Sequence, residues 1–190
     1  MKIGIDFGDV IADQNKAMRD ILISCFKVRS VPEGELTRKV LVGGRIITDQ
    51  QYSVMKRLLY HSQVDGVENL SPVLNSIEGL AALRRDGHQV SIVSKRYGHA
   101  AELAMFWLAQ KRLSIPFYES KHRLREDKRE TCERLSLDVF LDNDPAELAD
   151  LVTVPHRFLL TRYPYIEVPG DIIGVNSWER FYGHVRNLDC

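Results

Sequence analysis

The chain begins MKIGIDFGDVIAD, residues 1–13, and the reading of this stretch decides the fold. An apolar run, Ile3 to Ile5, ends on the carboxylate of Asp6, and Gly8 breaks the pattern two residues later. A short buried strand that stops on an acidic residue delivers that residue to a sheet edge. The pattern predicts the strand over residues 2–6. Working outward, Asp13 can cap a helix in which Ala17, Met18, Ile21, Leu22, Cys25 and Phe26 share one face. Residues 29–47, with Pro32 and the pair Gly43-Gly44, read as loop with a short helical piece. Thr48-x-x-Gln51 is a capping box that opens a helix to about residue 61.

From residue 72 onward, helices and strands alternate. Pro72 suits the first turn of a helix that runs through Leu74, Ile77, Leu80, Ala81 and Leu83 and stops at Asp86-Gly87, where glycine takes the left-handed cap position. Strands are predicted at 89–93, 117–118, 138–141 and 156–160, and helices at 98–111, 126–135, from Pro145, and at 178–185. This alternation predicts an α/β fold, a Rossmann-like parallel sheet with helices on both faces. Ligands in such sheets bind at the carboxyl ends of strands, where Asp6, Ser94 and Asp142 stand. Residues 14–71 are too long for a simple crossover and predict a small helical cap inserted after the first strand. Residues 1–13 and 72–190 then form the core.

The bulk composition narrows the function classes. Lys+Arg and Asp+Glu are 26 each in 190 residues, so no net charge favours a nucleic-acid polymer or a membrane surface. Cys25, Cys132 and Cys190 are odd in number and form no C-x-x-C pair, which fits a reducing compartment. The six histidines show no ligand spacing. No signal-peptide pattern or membrane-length apolar run is present, and the expectation is a soluble, cytoplasmic protein.

Three strands ending in small polar or acidic residues, with a lysine-bearing segment before the last, suit phosphoryl transfer. A carboxylate can attack phosphorus and form an aspartyl-phosphate. Magnesium, held by a few carboxylates and by substrate oxygens, offsets the charge repulsion. A hydroxyl and an ammonium hold the other phosphoryl oxygens.

On these residues the chain resembles the haloacid dehalogenase superfamily, most members of which are magnesium-dependent phosphatases. That family's first motif, a strand followed by Asp-x-Asp-Gly-Thr/Val, is matched by IGIDFGDVIAD at residues 3–13. The second, a strand ending in Ser or Thr, is matched by QVSIVSKR at Ser94. The third, a lysine near a helix start, is matched by Lys128 in REDKRETCERL, with Lys121 as competitor. The fourth, a strand ending in acidic residues, is matched by DVFLDNDPAEL at Asp142. A narrower likeness to 5′(3′)-deoxyribonucleotidases and related small nucleotidases rests on SPVLNSIEGLAALRRDGHQVSIVS (71–94) and on the tail RFLLTRYPY…GVNSWERF.

The resemblance implies a small phosphorylated substrate, with a nucleotide among the candidates, and Mg²⁺ as cofactor. It implies Asp6 as nucleophile and metal ligand, Gly8 offering its backbone carbonyl to the metal, and Asp142 as the second metal carboxylate with Asn143 beside it. Ser94 and Lys128 would hold the phosphoryl group. Asp144 either binds the metal through water or caps the helix at Pro145. Lys95 and Arg96 could add positive charge, and Arg45, after the Gly43-Gly44 hinge, could meet a substrate anion. Tyr52 and Tyr60 could stack on a base, although at helical spacing aromatics are more often packing residues.

One position departs from the family pattern. The residue two past the nucleophile is an aspartate acting as general acid and base in the phosphatases, and here it is Gly8. Three outcomes follow: Asp9 supplies the proton after a local rearrangement of the turn; the protein binds phosphate and magnesium but turns over poorly; or a carbon–halogen or carbon–phosphorus bond is cleaved instead.

Overall fold

The structure, a computed structural model, describes residues 1–61, 70–120, 126–163 and 167–188. Among the described residues six strands form one parallel sheet: β1 (Lys2–Ile5), β2 (Gln89–Ser94), β3 (Phe117–Glu119), β4 (Val139–Asp142), β5 (His156–Leu160) and β6 (Ile173–Val175). The spatial order is β3-β2-β1-β4-β5-β6. Every pairing is parallel, with Ile3 opposite Val90 on one side and Val139 on the other. Strand order therefore reverses at β1, which opens a crevice at the carboxyl edge between β1 and its neighbours. β1 and β4 are buried almost throughout, as a central parallel strand covered on both faces must be.

The helices are α1 (Gln14–Ser24), α2 (Asp49–His61), α3 (Ser76–Arg85), α4 (His99–Gln110), α5 (Lys128–Leu135), α6 (Pro145–Asp150) and α7 (Trp178–Leu188). A π-helical turn at Lys39–Gly43 lies between α1 and α2. Asp13 caps α1 by accepting from the Lys16 N–H at 2.9 Å. Thr48 and Gln51 bond reciprocally as the capping box requires. Among the described residues no helix is long and apolar enough to cross a membrane.

Three local expectations are corrected. The helix predicted from Pro72 begins at Ser76, after Asn75 in the left-handed conformation. Pro72 instead forms an antiparallel bridge with Ala12, and Leu74 is 81% exposed. Cys25 is exposed although its spacing places it on the apolar face of α1. The strand β6 was not predicted at all. Lys121, His122, Pro164, Tyr165 and Cys190 fall outside the described residues.

The last helix anchors the loop that follows β1. Trp178 is fully buried and its indole N–H donates to the Val10 carbonyl at 2.8 Å. Its ring also lies against Gly79 on α3, where an added Cβ would stand 2.5 Å from ring carbon Cε3. Gly79→Ala is therefore expected to lose about 1–3 kcal/mol by overpacking, although alanine is the better helix former by about 1 kcal/mol. Urea melts of the variant check this.

Candidate active site

The turn after β1 is held on several sides. The Asp6 N–H donates to the Leu141 carbonyl at 3.0 Å, extending the β1–β4 ladder by one residue. Phe7 points the opposite way, as strand alternation demands, and packs edge-on against Trp107 at 5.5 Å between centroids. The Ile11 and Ala12 N–H groups both donate to the Phe7 carbonyl, and the Ser76 hydroxyl donates to the Ile11 carbonyl. Asp9 closes the turn in the left-handed conformation, with φ of 57°.

Asp6, Ser94, Lys128 and Asp142 all line one cavity of about 530 Å³ at the carboxyl edge. Lys128, 5% exposed, stands at the first turn of α5, where Asp127 and Glu130 complete a capping box. Its ammonium donates to Asp6 Oδ1 at 3.0 Å and to Asp142 Oδ2 at 2.8 Å. The other carboxylate oxygens are also held. Asp6 Oδ2 accepts from the Gly8 N–H at 2.9 Å. Asp142 Oδ1 accepts from the N–H groups of Asn143 and Asp144 at 2.8 and 3.1 Å. Burial raises the Asp142 carboxyl well above the ordinary carboxylate range, and Lys128 offsets only part of that rise. Burial works to lower the Lys128 ammonium too, but the Asp142 and Asp6 carboxylates outweigh it and hold the lysine protonated. The buried unit is thus one ammonium shared by two carboxyl groups.

The other expected site residues separate. Ser94 is buried at the end of β2, its Oγ accepting from the Arg96 N–H at 3.4 Å. Lys95 lines the cavity but pairs with Glu147 on α6. Asn143 lines it as well, with its amide Nδ2 donating to Glu35 Oε1 at 2.8 Å. Asp144 caps α6 by accepting from the Ala146 N–H at 2.9 Å. Arg45 is exposed after the π-helical turn and is not among the residues lining the cavity. Tyr60 lines it, with the Lys56 and Arg96 cations over its ring.

Around the first turn the structure adds residues that sequence reasoning missed. They gather round Asp9, the expected proton donor, which faces the cavity while its Oδ1 accepts from the Asn15 N–H at 2.8 Å and lies 3.4 Å from Arg162. Burial is the main force that raises its carboxyl to about 6. Arg162 also donates to Asp13 at 2.6 Å, and Asn15 holds Tyr163, the Gly34 carbonyl and the Leu36 N–H. The segment after β5 therefore closes the back of the turn. Gln14 is 8% exposed and lines the cavity. A Cβ built on Gly8 would stand 1.6 Å from Gln14 Nε2, so the glutamine amide fills the space a side chain at residue 8 would need. The signal available in sequence was modest: Arg162-Tyr163 follow β5 as Asn143-Asp144 follow β4, at the same edge of the sheet.

No protein-family model matches the sequence, and no curated protein matches it either. Solved structures do match over nearly the whole chain. A haloacid dehalogenase family hydrolase from Deinococcus radiodurans, solved with bound phosphate and sodium, superposes with a TM-score of 0.68 at 11% identity, covering 99% of this chain and 96% of that one. An L-2-haloacid dehalogenase from Xanthobacter autotrophicus with chloropropionic acid covalently bound gives 0.62 at 11% identity, covering 98% of each chain. A hydrolase of the same superfamily from Bacillus subtilis, bound to magnesium, gives 0.59 at 12% identity, again covering 98% of each. With this sheet order and these partners in shape, the chain has the fold of the haloacid dehalogenase hydrolases.

Proposed function

We propose that the protein is a metal-assisted phosphohydrolase of the haloacid dehalogenase type, acting on a small phosphorylated metabolite through an aspartyl-phosphate on Asp6. The observation that carries this reading is Lys128 holding Asp6 and Asp142 together beside Ser94 in one cavity. In this reading Asp6 attacks phosphorus, and Ser94 and Lys128 hold the phosphoryl oxygens. Residues 14–71 act as the cap, since α2 lends Lys56 and Tyr60 to the cavity wall. Nucleotides belong in the substrate panel because of the tail likeness.

Magnesium fits the donor set, which is all oxygen: the Asp6 and Asp142 carboxylates, the Gly8 carbonyl and Asn143. Among the described residues no three His, Cys, Asp or Glu side chains group into a metal cage. Magnesium held by one or two carboxylates takes its remaining ligands from substrate and water. When bound, the ion would add positive charge at the Asp6 and Asp142 carboxylates and at the substrate oxygens, beside that of Lys128.

Proton transfer falls to Asp9 in this reading. It lines the cavity, its Oδ2 has no hydrogen-bond partner among the described residues, and its carboxyl is raised toward neutrality. A second reading, a phosphate-binding protein with little turnover, is favoured by Gln14 standing where an acid at residue 8 would be. Phosphate release from sugar phosphates, phospho-acids and nucleotides, with magnesium and with chelator, tests both. Asp6→Asn and chelation are each expected to abolish release. Release that survives Asp6→Asn sinks the first reading. No release from any substrate, together with magnesium-dependent phosphate binding that Asp142→Asn removes, favours the second.

A further inference from the structure

Arg96 is 6% exposed and lines the same cavity, yet none of its three guanidinium nitrogens has a hydrogen-bond partner among the described residues. Its guanidinium lies over the Phe7 ring at 4.9 Å and over the Tyr60 ring at 4.6 Å. Its neighbour Lys95 goes the other way, to Glu147. The two rings strip water from the guanidinium without satisfying its N–H groups, and burial pulls its pKa down. Asp6 and Asp9 act on it only through space, with no hydrogen bond to either. A buried, unpaired charge is costly, and folded proteins keep one where a partner arrives. A planar fork of N–H donors matches a carboxylate or phosphate edge.

We propose that Arg96 is a second anion subsite, which docks an oxyanion of the substrate other than the phosphoryl group transferred at Asp6. This deepens the phosphohydrolase reading and rests on it for the first anion. Two placements separate the subsites. Lys128 reaches Asp6 from the β4 side, through Asp142. Arg96 leans away from β4, on Phe7 and on Tyr60 of α2. The substrate class is then a phosphorylated carboxylic acid or a bisphosphate, not a phosphate ester of a neutral alcohol. The shared chemistry is a second oxyanion with two oxygens free to accept the fork.

The test is titration calorimetry on wild type, Arg96→Met and Arg96→Lys, with magnesium in excess and three probes that cannot be hydrolysed. Methylphosphonate has one anionic head, phosphonoacetate adds a carboxylate, and methylenebisphosphonate adds a second phosphonate. Wild type is expected to bind a two-headed probe about 10- to 100-fold tighter than methylphosphonate, the range of a charge-assisted hydrogen-bonded pair. The favoured probe says which oxyanion is recognised. Arg96→Met is expected to erase that advantage and leave methylphosphonate binding unchanged, while Arg96→Lys keeps part of it. Arg96→Met should also raise the melting temperature of the ligand-free protein, because a buried unpaired charge is removed. An arginine kept for structure alone would lower it.

Equal binding of all three probes by wild type overturns the proposal. So does an Arg96 variant that weakens all three equally, which would assign the guanidinium to the transferred phosphoryl group. If Arg96→Met does not fold, the wild-type ranking and Arg96→Lys decide. The subsite is read from binding and the phosphohydrolase reading from phosphate release, so the two failures do not resemble each other.

Discussion

Replacing Lys128 with methionine is expected to cost about 3–5 kcal/mol of folding stability, a large part of the roughly 5–15 kcal/mol a domain of this size commands. The stem of the lysine is not the issue, since methionine fills a similar volume. The loss comes from the ammonium. Lys128 is 5% exposed and its ammonium is the shared donor to Asp6 and Asp142, which reach it at 3.0 and 2.8 Å. Without it, two carboxylates face each other with backbone N–H groups as their hydrogen-bond partners among the described residues. The same reasoning predicts rescue. Asp142→Asn in the Lys128→Met background removes one of the stranded charges and should recover part of the loss, with a coupling of about 0.5–3 kcal/mol in a double-mutant cycle. Urea melts of the four proteins give that number. A lysine that merely reached over from the surface would change stability by no more than about 0.5 kcal/mol when replaced, with no coupling to Asp142.

The contrast between Lys128 and its surroundings shows what could be read from residue order. Asp6, Ser94 and Asp142 were legible because each ends a strand, and a parallel sheet brings strand ends to one edge whatever the loops do. Lys128 was legible only through the resemblance, as a lysine near a helix start with Lys121 competing; the cap at Asp127 that fixes the helix start at Lys128 is a finding of the structure. β6 was not, because Ile173-Gly174-Val175 is too short to show alternation and exists through its pairing with β5. The start of α3 was misplaced for a local reason. Pro72 suits a helix start, but the Val73 N–H donates to the Ile11 carbonyl and the Asp13 N–H to the Ser71 carbonyl, which commits this segment to the turn after β1. The ring of Asn15, Glu35, Arg162 and Tyr163 was hidden more deeply. Arg162 lies 153 residues from Asp9, and no periodicity carries information over that separation. Gln14 was hidden differently: it reads as an ordinary first residue of a helix until Gly8 is placed beside it.

That last pair yields the sharpest test of how the proton is supplied. Asp9→Asn is expected to slow phosphate release by about 10²–10⁴-fold, the range for general acid–base help. The substitution is gentle on the fold. Asparagine tolerates the left-handed backbone of residue 9, at φ of 57°, and can still accept from the Asn15 N–H. A carboxylate at residue 8 should replace the lost group, but only once it has room. The Gln14 amide occupies that room, with Nε2 at 1.6 Å and Cδ at 2.9 Å from the Cβ that residue 8 would carry. Gly8→Asp added to Asp9→Asn must turn the end of the Gln14 side chain out of that room, and release should recover only in part while the amide competes for it. Gly8→Asp with Gln14→Ala in the same background clears the space and should restore most of the lost rate. Melting temperatures of the three proteins separate misfolding from chemistry. Full recovery by Gly8→Asp alone would show that Gln14 does not compete for the position. No recovery in the folded triple variant would show that the missing proton is not what Asp9→Asn removed, and the role of Asp9 would then be to hold Asn15 and Arg162 at the back of the turn.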